Sequence, residues 1–179
     1  MEILVGSDDM YARLAAVVPC YNAGARVEPV VRSLLEQLDH VVVVDDGSTD
    51  GATAPLQALG ASVIHFPENK GKGFAMLAGF RAALAAEPVR GVVIVDADGQ
   101  HDAGELANLW QAFVKNDADL VIGTRTFDGA HVPLRSKIGN KFTAAATRIL
   151  IGAPIADTQS GFRIHSRRLL EDILKTIKG

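Results

Sequence analysis

Hydrophobic residues along this chain fall into short solid runs separated by stretches of helical spacing. The runs are Leu14-Ala15-Ala16-Val17-Val18, Val41-Val42-Val43-Val44 and Val92-Val93-Ile94-Val95, with weaker ones over 62–66 and 119–123. Unbroken aliphatic runs of that length read as strands buried on both faces. Pro19 is expected to close the first. Between the runs, Val27, Val30, Val31, Leu34, Leu35 and Leu38 recur at helical spacing and predict a helix over 26–38 with one buried face. A short helix is predicted over 53–59. A long alanine-rich one follows the turn-rich loop 67–74 and ends near residue 86. A third covers 103–115, with Leu106, Leu109, Trp110 and Phe113 on one side, and a last begins near Ser166. Strands alternating with helices imply a doubly wound, mostly parallel α/β sheet. Ligands of such sheets sit beyond the carboxyl ends of the strands. The polar clusters after Val18, Val44, Val95 and Gly123 should therefore converge on one edge.

Composition narrows the class. The 179 residues are 48% hydrophobic and 22% charged, as in a globular protein with room for one well-buried domain. A net charge of −3 gives no reason to expect nucleic acid as a partner. The single cysteine, Cys20, rules out an internal disulfide and fits a reducing compartment such as the cytoplasm. Residues 1–13 read as a loosely attached leader, since Glu2, Asp8, Asp9 and Arg13 break any signal-peptide pattern. No run of about 18 apolar residues is present to span a membrane.

The candidate chemistry lies at the strand ends. The run Val92–Val95 stops at Asp96-Ala97-Asp98-Gly99-Gln100-His101. Two carboxylates spaced i, i+2 where a strand bends away can aim at one point, and they repel unless a cation lies between them or one is protonated. Hard oxygens there suit Mg2+ or Mn2+ shared with a substrate phosphate; a polar turn ending a strand is the plainer reading. Asp45-Asp46-Gly47-Ser48-Thr49-Asp50 offers carboxylates to the NH or OH groups of a base or ribose. Asp50 or Ser48 could instead cap a helix. In Lys70-Gly71-Lys72-Gly73 the glycines would let backbone N–H groups approach an anion beside a lysine charge, or the segment is a solvated turn. It is not a P-loop. From Arg125 on, Arg125, His131, Arg135, Lys137, Lys141 and Arg148 face a single acid, Asp128, while Ile138, Phe142, Ala145, Ile149 and Leu150 recur at helical spacing. Such a stretch suits a lipid phosphate at an anionic membrane surface, or a core helix with a solvated basic face.

Five motifs in order carry a resemblance: Pro19-Cys20-Tyr21-Asn22, Val43-Val44-Asp45-Asp46-Gly47-Ser48-Thr49-Asp50, Asn69-Lys70-Gly71-Lys72-Gly73, Asp96-Ala97-Asp98-Gly99-Gln100-His101 and Gln159-Ser160-Gly161-Phe162-Arg163. Over about 14–168 the chain resembles family 2 glycosyltransferases of the GT-A fold, in the branch of dolichol-phosphate mannosyltransferases and polyprenyl-phosphate glycosyltransferases. The resemblance implies one GT-A domain over 14–179, in a family whose members generally continue further. It implies a metal-dependent, inverting transfer from a GDP- or UDP-sugar to a polyprenyl or dolichyl phosphate, at the cytoplasmic face of a membrane and in service of the cell envelope. By resemblance Pro19, Tyr21, Asn22 and Asp46 hold the nucleotide, with Asp45 and Lys72 nearby. Asp98 and Gln100 are the implied metal ligands, and Asp96, with Ala97 beside it, faces ribose or metal. His101 is a direct or an indirect neighbour. Arg125, Arg135 and Ser136 lie where the branch binds its acceptor phosphate, and Gln159 and Arg163 belong to the substrate site. Asp157 is either the base for an alcohol acceptor or an organiser paired with Arg163 or another arginine. One departure stands out: Ala23-Gly24 follow Asn22 where relatives often carry Glu. Rival readings are transfer to a saccharide hydroxyl and a nucleotide-sugar-binding module without transfer. A nucleotidyltransferase would open with a glycine-rich loop bearing Arg and Lys, which Pro19-Cys20-Tyr21-Asn22 is not.

Overall fold

The computed structural model describes residues 13–86, 89–99, 105–123 and 162–177, and all of these but Gly123 belong to one compact unit. The expectations for 1–12, for Gln100 and His101, and for 124–161 lie outside the described residues.

Six strands form one sheet: β1 (Leu14–Cys20), β2 (His40–Asp45), β3 (Ser62–His65), β4 (Gly91–Ile94), β5 (Leu120–Ile122) and β6 (Arg163–Ser166), in the spatial order β3-β2-β1-β4-β6-β5. The first four run parallel, and β6 lies antiparallel between β4 and β5. Among the described residues four helices flank the sheet: α1 (Val27–Leu35), α2 (Lys72–Ala86), α3 (Glu105–Lys115) and α4 (Arg167–Thr176). Alternation along β1 explains the layering. Leu14, Ala16 and Val18 join the core shared with Val27, Val31 and Leu34 of α1 and Leu106, Trp110 and Phe113 of α3. Ala15 and Val17 face the other way, into the core shared with Ala75, Phe80 and Ala83 of α2 and Leu170 of α4. Gly79 makes that second layer tight. A Cβ there would collide with the side chain of Val17, so only glycine lets α2 settle on β1.

The structure corrects four expectations. The predicted helix over 26–38 is shorter: a 3-10 turn at Gly24–Arg26, then α1, with Leu38 N–H still bonding to Leu34 O at 2.8 Å. The predicted helix over 53–59 is a string of turns joined by i to i+3 bonds, such as Leu56 N to Thr53 O at 3.2 Å. Gly51 and Gly60, at φ 69° and 108°, bound it and stop a helix from propagating.

Third, Pro19 does not close β1. The strand continues to Cys20, with Pro19 in register with Val44, and Asp46 N–H bonds Cys20 O at 2.8 Å. The β4 side does stop there: Val95 N–H bonds Val17 O at 3.0 Å, and two residues on, where the next N–H should point to β4, proline has none. Proline therefore ends one ladder while the other runs on. The neighbours β1 and β4 are also where the strand order reverses, the usual crevice of a doubly wound sheet. Fourth, β6 has no counterpart in the hydrophobic pattern. Arg-Ile-His-Ser becomes a strand because long-range pairing buries it, with Val92 opposite His165 and Val93 opposite Ile164.

Candidate active site

The loops after β1, β2 and β3 and the turn after β4 meet at the carboxyl edge, and they are stitched together by side chains from the motifs. Asn22 adopts a left-handed φ of 47° that asparagine tolerates. Its Oδ1 accepts from Thr49 N–H at 2.9 Å, and its own N–H donates to Ser48 Oγ at 3.0 Å. Asp50 Oδ2 accepts from Gly24 N–H at 2.8 Å, while its Oδ1 takes Ala52 N–H at 3.0 Å. Ser48 and Asp50, one of which the sequence offered as a helix cap, thus tie the first loop to the second. Tyr21 is left exposed beside this seam.

The two adjacent acids take different tasks. Asp45 is buried and accepts Ser48 N–H at 2.9 Å on Oδ1, then Thr53 Oγ1 at 2.7 Å and His65 Nδ1 at 3.0 Å on Oδ2. Burial raises its pKa, but the bonds from Ser48, Thr53 and His65 outweigh burial and hold the carboxyl below its usual range. Its neighbour Asp46, 3% exposed, grips the lysine loop: Oδ1 accepts Lys70 N–H at 2.7 Å and Oδ2 accepts Gly71 N–H at 2.8 Å. Gly47 completes the join at φ 75°, where a Cβ would come within 2.5 Å of the Glu68 carbonyl carbon and 2.6 Å of Asn69 N. Both acids expected near the nucleotide therefore shape the loops that would surround it.

The fixed loop delivers Lys72 to the β4 turn. Lys72 Nζ lies 2.6 Å from Asp96 Oδ1, with side chains 51% and 21% exposed. Ala97 is buried, Asp98 is half-buried, and Gly99 turns the chain at φ 75°. Arg163 stands opposite Ile94 in register, so β6 brings this arginine to the same edge, two residues from Asp96. Cys20 is buried, and that burial pushes its thiol up to about 11, away from the thiolate form that reacts. Pro19, Tyr21, Asn22, Asp45, Asp46, Lys72, Asp96, Ala97, Asp98 and Arg163 thus share one edge, whereas Gln100, Arg125, Arg135, Ser136, Asp157 and Gln159 lie outside the described residues. Sequence reading missed His65 and Thr53 as partners of Asp45. The register of β2 and β3, which pairs Asp45 with His65, is the signal that finds the histidine.

The chain as a whole has known relatives. The family model for glycosyl transferase family 2 matches residues 15–174. The chain belongs to that family. Among curated proteins, the family 2 chain is 35% identical over 175 residues to polyprenol monophosphomannose synthase of Mycolicibacterium smegmatis, covering 90% of this chain and 64% of that protein. It is 32% identical over 167 residues to a dolichyl-phosphate hexose transferase of Haloferax volcanii, covering 89% of this chain and 69% of the relative. Among solved structures it matches Mycobacterium tuberculosis glucosyl-3-phosphoglycerate synthase in complex with Mg2+ and uridine-diphosphate, with a TM-score of 0.64 and 24% identity over 90% of this chain and 59% of that one. The fold is that of the GT-A glycosyltransferases. The chain spans about two thirds of the length of the curated relatives it matches.

Proposed function

We propose that this family 2 domain moves a sugar from a nucleoside-diphosphate donor, a GDP- or UDP-sugar, to a lipid-linked phosphate, with inversion at the anomeric carbon. The observation that carries the donor half is the pairing of Lys72 with Asp96 beyond the β1–β4 crevice, with Asp98 two residues further along the same turn. The lipid-phosphate half is supported by the relatives, whose names specify polyprenol monophosphomannose synthesis and dolichyl-phosphate hexose transfer.

Asp96 and Asp98 fit a divalent metal by their chemistry: two hard oxygen donors two residues apart on a turn at a strand end. Among the described residues no group of three or more His, Cys, Asp or Glu could hold an ion by itself. Substrate phosphate and water would complete the set, as is usual for Mg2+ bound through one or two carboxylates. A bound Mg2+ or Mn2+ would supply charge compensation for the departing diphosphate. Asp46 keeps the lysine loop in place, so Lys72 is held near the same phosphates as a mobile point charge. Asn22 and Ser48 hold the two loops that flank the nucleotide at a fixed separation.

A phosphate acceptor is already ionised near neutral pH, so cations that position it serve better than a general base. Arg163 stands at the proper edge for this, and Arg125, Arg135 and Ser136 join it in this reading, with Asp157 and Gln159 organising the arginines. Among the described residues no helix is long and apolar enough to cross a membrane. In this reading the lipid phosphate is met at the cytoplasmic face of the membrane.

The test is transfer of label from GDP-mannose, UDP-glucose and UDP-N-acetylglucosamine into the organic phase, with a short polyprenyl phosphate and Mn2+ present. Label reaching the lipid only when the polyprenyl phosphate is added supports the reading. Donor hydrolysis that ignores the lipid contradicts it and favours a binding module. Label appearing on an added saccharide would instead favour a hydroxyl acceptor.

A further inference from the structure

Lys72 is the first residue of α2, where the peptide dipoles place positive charge, and the helix has no acid in its first turn. A cation at that position is locally unfavourable. Its compensation comes from another element: Asp96 beyond β4, at 2.6 Å. The loop leading to Lys72 has little freedom to adjust, since Asp46 bonds the Lys70 and Gly71 amides and Gly47 packs on the backbone of Glu68 and Asn69. Only the lysine stem is free to swing, and it is half-exposed. A dication on either oxygen of that carboxylate would lie within a few ångströms of the ammonium, so the two positive charges compete for Asp96 and each weakens the hold of the other.

We propose that Lys72 and Asp96 form the resting pair of the donor site, and that donor binding is a partner exchange. The diphosphate takes the ammonium of Lys72, and the freed Asp96 carboxylate turns to the divalent cation beside Asp98. Lys72 is thereby a positioning residue with two stations, and its pairing with Asp96 keeps either ligand alone from binding at full strength. The proposal rests on the donor-site reading above. A half-exposed pair is weak enough to open on ligand arrival and strong enough to shift affinities severalfold.

The two halves of the exchange can be titrated separately by calorimetry on the whole chain. Lys72→Met should raise the affinity for Mn2+ without nucleotide about fivefold and lower the affinity for metal-free GDP or UDP by a similar factor. Asp96→Asn should do the reverse, raising metal-free nucleotide affinity and lowering Mn2+ affinity. Such opposite movements are not produced by a general loss of structure. Both affinities unchanged in Lys72→Met, or both reduced, would overturn the exchange. Wild-type protein that binds neither nucleotide nor Mn2+ would overturn the donor-site reading itself.

Discussion

Gly47 carries two constraints at once, a left-handed φ of 75° and a space already filled by the backbone of Glu68 and Asn69. Gly73, in the first turn of α2, carries neither: nothing lies within 4 Å of a Cβ placed there. Opposite outcomes follow for the same change. Gly47→Ala should cost about 2 kcal/mol or more in urea unfolding, since strain and overlap add. Gly73→Ala should stabilise by about 0.5 kcal/mol, because alanine narrows the unfolded ensemble and favours helix. Equal effects at the two sites would contradict the close approach. At this scale much of the candidate site's placement was legible in the sequence: Asp45, Asp46, Asp96 and Asp98 reach the edge to which the strand ends assigned them, and the loop at the start of α2 brings Lys72 to Asp96 there. Their tasks were not legible. That Asp46 spends both oxygens on the Lys70 and Gly71 amides depends on a fold-back of 24 residues, which no local pattern records.

At the scale of elements, the junction of β6 and α4 is tied by polar contacts to a distant segment. Ser166 accepts from Leu169 N–H at 3.1 Å, capping α4, and donates to Asp119 Oδ1 at 2.6 Å. Bonds from Arg168 and from Ser166 hold the Asp119 carboxyl below its usual range. One residue earlier, His165 packs its ring 5.5 Å from that of Phe80, and its Nδ1 has no partner among the described residues. Burial, then the charge of Arg163, pushes its pKa down to about 3 from 6.5. The unfolded chain takes up this proton near pH 6.5 and the folded one near 3, so the contribution is complete above 6.5 and erodes as pH falls between the two. The limit is about tenfold in the folding constant per pH unit. His165→Leu removes that proton, so its stability measured from pH 6.5 to 4 should fall less steeply than that of the wild type. Parallel curves would show that the histidine is not buried neutral. The strand holding it escaped the sequence reading because Arg-Ile-His-Ser has no apolar run; two neighbouring strands create the burial that makes it a strand. The missed turns over 53–59 show the converse, apolar spacing without enough length between Gly51 and Gly60 for a helix to propagate.

Over the whole molecule, the parallel core followed from the aliphatic runs alone, and its order places the β1–β4 crevice under the motifs. Pro19 links the two levels, since the missing N–H that ends pairing to β4 opens the sheet where Asp96 and Asp98 stand. The central claim is that this crevice holds a nucleoside diphosphate with a divalent cation. The most direct test is a melting panel of GDP, UDP, CDP and dTDP, each with and without Mn2+ or Mg2+, run on the wild type and on Asp98→Ala. A ligand at about a hundred times its dissociation constant stabilises by roughly 2.7 kcal/mol, a shift of several degrees in a domain of this size. A metal-dependent rise is expected with at least one base in the wild type, and none in a normally folded Asp98→Ala. A rise that survives in the variant, or no rise with any nucleotide in the wild type, would contradict the central claim.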